Sequence, residues 1–164
     1  MSGHVAAGYS GTPLAKKLGL AGGQVVAVID EPDGFRTLLD TNPDGQPGAL
    51  PADITFKTSL PSEPDQSSAD VLIVFAIERA MLEAMIPVAA AAVFPDGAIW
   101  AAWPKKAAKV PTDITEDTVR DIALPVGLVD NKVCAIDAVW SGLRVVWRKE
   151  RRTQPLDRQG LGLS

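Results

Sequence analysis

Few residues in this sequence carry side chains suited to covalent or acid–base chemistry, and their spacing narrows the choices. The one histidine, His4, stands in the small, polar opening stretch "MSGHVAAGYSG". No histidine dyad, triad or His-rich metal site can therefore be assembled within one chain. The one cysteine, Cys134, sits in the apolar run "NKVCAID", where a thiol is expected to pack as a small hydrophobe. A reactive thiolate would need an electropositive, accessible setting. "GYSG" at 8–11 is not G-x-S-x-G, follows no strand, and has no histidine to activate Ser10, which is expected in a loop or helix entry. Asp113, Glu116 and Asp117 in "TDITED" group as carboxylates do at a helix N-terminus, where each gains about 0.3–1 kcal/mol from the macrodipole. No metal site is expected from them. The basic run "RKERR" at 148–152 reads as a solvated strand exit, with partner docking as the alternative.

One constellation remains, and it depends on the elements that would carry it. In "AIWAAWPKKAAK" an apolar strand ends at Trp103 and Pro104, and Lys105 and Lys106 follow. "GQVVAVID" is a second apolar run, leaving Asp30 and Glu31 at its end, and "ADVLIVFAI" is a third, leaving Glu78. In open parallel sheets ligands bind beyond the carboxyl ends of the strands, where strand order reverses. Asp30, Glu31, Glu78, Trp103, Lys105 and Lys106 are thus the candidate ligand-binding set. A lysine there is a point-charge anchor for a small polar or anionic ligand. The same residues would also serve as a salt-bridged rim, each exposed pair contributing only about 0–1 kcal/mol.

The elements alternate. Thr12 and Pro13 open a short helix that Gly19 ends. The valine-rich run at 23–30 is a strand buried on both faces. Between 34 and 69, "FRTLL" is a helical turn and "ITFKTSL" a strand, with loops between them. After the strand at 71–77 comes "ERAMLEAMIPVAAAAVF", a helix in which Pro87 predicts a kink or two helices meeting. "PDG" turns the chain into "AIWAAW", and "TDITEDTVRDIALPVGL" forms a long helix capped by Thr115 and stopped by Gly127. "NKVCAID" and "LRVVWRK" are close enough to pair antiparallel. Residues 1–11 are expected to be an arm, 12–149 the domain, and 150–164 a loose, polar tail.

Strand and helix in alternation imply parallel strands joined by right-handed crossovers. The expected fold is α/β: a single Rossmann-like three-layer sandwich, its mostly parallel sheet closed by a C-terminal antiparallel hairpin. Residues 70–148 resemble in topology the C-terminal half of the class I methyltransferase fold, with the N-terminal half reduced. Taken together, "AGYSGTPLAKKLGL", "WPKK", "TDITEDTVRDIAL", "GLVDNKVCAID" and "WSGLRVVWR" resemble an uncharacterised bacterial family, domain of unknown function 3052. That resemblance spans nearly the whole chain and implies the fold without an activity, ligand or catalytic residue.

The chain has 164 residues, 46% hydrophobic and 22% charged, with a net charge of -4. This suits one domain that buries roughly 68–70% of its unfolded surface. The negative charge argues against nonspecific nucleic-acid binding. No stretch reaches the roughly 18 apolar residues of a membrane span, and no signal peptide opens the chain, so a cytoplasmic location is expected. After the first strand a nucleotide enzyme of this fold carries a glycine-rich turn, whereas "VVAVIDEPDGFR" holds one glycine, Gly34. No acidic residue ends "ITFKTSL" to hold ribose hydroxyls. No AdoMet or nucleotide cofactor is predicted. Two functions follow. One is a non-catalytic domain working by self-association or with a protein partner, with Trp140 in the turn "AVWSG" as candidate interface. The other is a divergent small-molecule or nucleotide binder, or an enzyme with acid–base chemistry from Glu78 or Asp30, using the strand-end crevice.

Overall fold

The computed structural model describes residues 11–163, so the expectations for His4, Tyr9, Ser10 and most of the N-terminal arm lie outside the described residues. Among the described residues six strands form one sheet: β1 (Val25–Ile29), β2 (Thr55–Lys57), β3 (Val71–Phe75), β4 (Ala98–Pro104), β5 (Leu128–Ala135) and β6 (Trp140–Trp147). Their order across the sheet is β2-β1-β3-β4-β6-β5. β1 pairs in parallel with both β2 and β3, and β3 in parallel with β4. β6 then enters antiparallel between β4 and β5. This is the expected parallel sheet with its C-terminal hairpin. The chain leaves β1 toward β2 on one side and runs from β3 to β4 on the other, so strand order reverses between β1 and β3.

The strands formed where the sequence runs were apolar. Every residue of β3 and β4 is buried, as central strands covered on both faces must be. One face packs against α3 (Arg79–Val93) and α4 (Glu116–Val126), the other against α1 (Leu14–Lys17) and α2 (Phe35–Leu39). Two buried tryptophans fix these layers. The Trp100 indole donates to the carbonyl of Leu18 at 2.9 Å on one face, and the Trp147 indole to that of Ala90 at 2.9 Å on the other. Each ring thus satisfies its N–H while contributing its area to the core.

Local chemistry explains the helix limits. Thr115 accepts from the backbone N–H of Thr118, whose hydroxyl accepts from Thr115 in return, a reciprocal cap that opens α4. Gly127 ends it in the left-handed region at φ 111°. The first helix begins at Leu14, with Pro13 extended before it, one position later than expected. Pro87 does not divide α3, which runs as one helix of 15 residues. The missing N–H of Pro87 removes one intrahelical bond, but Ala89 to Ala92 lie fully buried against the sheet and hold the second half in line.

The C-terminal segment differs most from expectation. In place of a loose tail it forms α5 (Lys149–Arg152) and then returns to the core. Leu161 is buried there, Leu156 and Leu163 pack beside it, and the Arg158 guanidinium donates to the carbonyl of Pro64 at 2.8 Å. No helix of the described residues is long and apolar enough to cross a membrane.

Candidate functional site

The turn leaving β1 begins with Asp30 in the left-handed region, φ 55°, a conformation that costs a non-glycine residue energy. The turn leaving β3 carries Ala76, Ile77 and Glu78 into α3. Between these two exits, where strand order reverses, lies a hollow of about 260 Å³ lined by Asp30, Phe75, Glu78, Met81 and Trp140, among others. This is the position at which the fold is expected to hold ligands. It is smaller than the roughly 300–1,000 Å³ of most small-molecule pockets.

Aromatic rings account for the small volume. Phe75, the last residue of β3, meets Phe35 edge to face at 4.9 Å and Trp140 at 5.0 Å. Phe35 opens α2 and is buried; Trp140 is half-buried at the start of β6. The turn before Trp140 is tied down by Asp137, whose Oδ1 accepts from the N–H groups of Val139 and Trp140, both at 2.8 Å. Trp140 is therefore held over the hollow and not left to swing in solvent.

Of the six candidate ligand residues, the structure brings two together here, Asp30 and Glu78, both exposed. Glu31 is drawn away to Arg36 at 2.9 Å, whose guanidinium also lies 3.9 Å over the ring of Phe56. Trp103 is 8% exposed and packs in the core under α3 and α4. Lys105 and Lys106 do not line the hollow. The strand runs one residue further than expected, through Pro104, and the Lys105 N–H donates to the carbonyl of Val139 at 2.7 Å. Lys106 is exposed and opens a 3-10 turn, Lys106–Ala108. Sequence reasoning missed Phe35, Phe75, Ile77 and Met81 and did not place Trp140 at this hollow, because no local pattern shows that the hairpin folds back over β3.

The carboxylate group at 113–117 is spent on structure. Asp113 Oδ1 accepts from the first N–H of α3, that of Arg79, at 2.6 Å. Arg120 is held by Asp130, Glu116 and Asp117, and this company raises its pKa above the ordinary guanidinium value, so it stays charged. Among the described residues no group of histidine, cysteine and carboxylate side chains is arranged to hold a metal ion. Cys134 is buried, and burial pushes its thiol pKa up against the opposing pull of Lys17, Lys132 and Lys105. It has the inert character expected of a packed thiol.

The residues at these strand exits lack features by which this fold ordinarily holds a nucleoside cofactor such as AdoMet. The turn at 30–34 offers one glycine, where several are needed for backbone to approach such a ligand closely. The following helix has five residues, and its first side chain, Phe35, points into the core against Phe75. β2 ends at Lys57, so no carboxylate stands at its tip to take ribose hydroxyls.

No family model matches the sequence and no curated protein matches it, so the resemblance to domain of unknown function 3052 gains no support from either. Solved structures do match. A SAM-dependent methyltransferase from Aquifex aeolicus superposes with a TM-score of 0.55 at 13% identity, over 80% of this chain and 86% of that one. Magnesium protoporphyrin IX methyltransferase from Synechocystis, solved with bound SAM, gives 0.51 at 16% identity, over 82% and 74%. A possible exported protein from Bordetella parapertussis gives 0.52 at 12% identity over 82% of this chain, which spans 65% of that protein's length. Likeness at this identity establishes the fold: the chain is a Rossmann-like α/β domain built on the plan of the SAM-dependent methyltransferases.

Proposed function

We propose that this domain works by association with a protein, a second copy of itself or another chain, and not by catalysis. The observation that carries the reading is the ring cluster Phe35–Phe75–Trp140, which fills the sheet end where the fold otherwise keeps room for a cofactor. The same end offers a surface for docking. Ile77 is 44% exposed and Val110 36%, and the hydroxyl of Thr112 donates to the carbonyl of Ile77 at 2.7 Å, which ties their two loops together. Half-buried Trp140 lines the same hollow as Ile77, and aromatic side chains of this kind anchor interfaces. A cytoplasmic setting is part of this reading.

Light scattering across a concentration series, paired with pull-down from extract, tests it. Association that is lost in Ile77→Asp supports the reading. A monomer at every concentration that retains no partner removes it.

A second reading rests on the hollow itself. Asp30 and Glu78 flank aromatic and apolar walls, a setting for a compact organic cation and not for the anion that a lysine anchor would hold. A thermal-shift panel of amines, anionic metabolites, nucleotides and AdoMet separates the two, since a ligand that binds the native state raises its apparent stability. The first reading expects no shift from the nucleotides or AdoMet. The second expects a shift from an amine that disappears in Glu78→Gln.

A further inference from the structure

Apart from Arg158, which donates to the carbonyl of Pro64, the arginines of this protein fall into two groups. Arg36, Arg79 and Arg120 each pair with a carboxylate: Glu31 for the first, Glu83 for the second, and Glu116, Asp117 and Asp130 for the third. Arg144, Arg148, Arg151 and Arg152, with Lys149 among them, pair with none among the described residues, although the chain carries a net charge of -4. Carboxylates are in excess, yet among the described residues none, Glu150 of the same short helix included, forms an ion pair with these groups.

Arg151 also lines a cavity of about 470 Å³ at the amino end of the parallel strands, opposite the hollow described above. That volume lies within the roughly 300–1,000 Å³ of small-molecule sites. Its walls include Phe94, Pro125, Val126, Trp147 and Leu156. The guanidinium runs beside Gly127 and the Trp147 ring: a Cβ placed on Gly127 would stand 3.2 Å from Nη1 of Arg151 and 3.0 Å from the indole. The other charged group on the wall, Asp157, accepts from the N–H of Gly160 at 2.9 Å through Oδ1 and forms no ion pair with Arg151. Gln154 adds a neutral polar group. Arg144 and Arg152 lie near enough to each other that, besides the burial of Arg144, the charge of Arg152 lowers the Arg144 pKa, so positive potential accumulates around the segment.

We propose that this cavity binds a small amphipathic anion, a carboxylate joined to an apolar or aromatic group. Arg151 takes the carboxylate, which the planar guanidinium suits by its paired donors. The apolar part lies along Trp147, Pro125 and Leu156, and Arg148 and Arg152 add attraction from the same turn of chain.

The test is two-dimensional NMR of the full chain titrated with phenylacetate and octanoate, with neutral phenylacetamide as the control for charge. Phenylacetate should move the indole signal of Trp147 and the amides of Gly127 and Gly160, and phenylacetamide should bind at least roughly tenfold more weakly. Arg151→Gln should weaken phenylacetate by a similar factor, with Arg151→Lys in between and Lys149→Gln near wild type. Asp157→Asn, which keeps the oxygen that accepts from Gly160 while removing the negative charge, should tighten it. This variant keeps the proposal testable if Arg151→Gln does not fold. Equal binding of phenylacetamide, unchanged affinity in Arg151→Gln, or no shift at these signals would overturn the assignment.

Discussion

At the carboxyl end of the sheet three aromatic rings meet edge to face over the exits of β1 and β3, while at the amino end Trp147 borders an open cavity rimmed by arginine. The first end is where this fold is expected to do its chemistry, and here aromatic rings narrow it to a hollow of about 260 Å³. The second end is ordinarily the structural floor of such a sheet, and here it keeps the room and the unpaired charge. The difference lies in a few residues: Phe35 and Phe75 put bulk where backbone would need to approach a ligand, whereas Gly127 leaves space for Arg151 and the indole. A shared fold does not by itself carry over the position of a site, and side-chain volume at each end sets how much room is left there.

Substitutions probe that contrast from the largest effect downward. Phe75→Ala removes the central ring of the cluster and should cost about 3–5 kcal/mol in chemical denaturation, as buried aromatic truncations do. A cost near zero would mean that the rings do not fill the carboxyl end. Gly127→Ala places a Cβ at φ 111° against Trp147 and Arg151, and should cost roughly 1–2 kcal/mol from the left-handed backbone, with more from the contacts. It should also perturb the amino-end cavity and leave Trp140 fluorescence alone. Thr115→Ala breaks the cap of α4, with an expected loss of about 1 kcal/mol. Arg151→Gln should leave stability within about 0.5 kcal/mol of wild type, because its side chain is exposed and forms no ion pair. A large loss there would show that the arginine is part of the scaffold, and the difference between the two ends would shrink accordingly.

The sequence made the central strands plain, since "VLIVF" and "AIWAAW" have no polar face to turn outward. Thr115 and Gly127 marked α4 for the same local reason, their own hydrogen-bonding and backbone preferences. The site was legible only at the chain exits, Asp30 and Glu78. The lysines do leave the carboxyl end of β4, but they stand outside the hollow because the strand continues through Pro104 and the next residue is tied to Val139, a contact set by a hairpin far later in the chain. The packed tail was hidden because Leu156, Leu161 and Leu163 stand among polar residues and glycine, with no period to reveal that they share a surface. "RKERR" was visible as charge, but its lack of carboxylate partners is a fact of three dimensions.

The insertion of β6 between β4 and β5 has a consequence for biosynthesis. Residues 140–147 close the middle of the sheet, not its margin, and they are made late. While a ribosome still holds them, at a pace of about 5–20 residues per second, β4 carries a fully apolar edge with Trp100 and Trp103 and no neighbour on that side. Such an edge invites pairing with other chains. A chain that stops before Trp140 thus loses the keystone of the sheet and is expected to aggregate, even though the parallel set β2-β1-β3-β4 is complete.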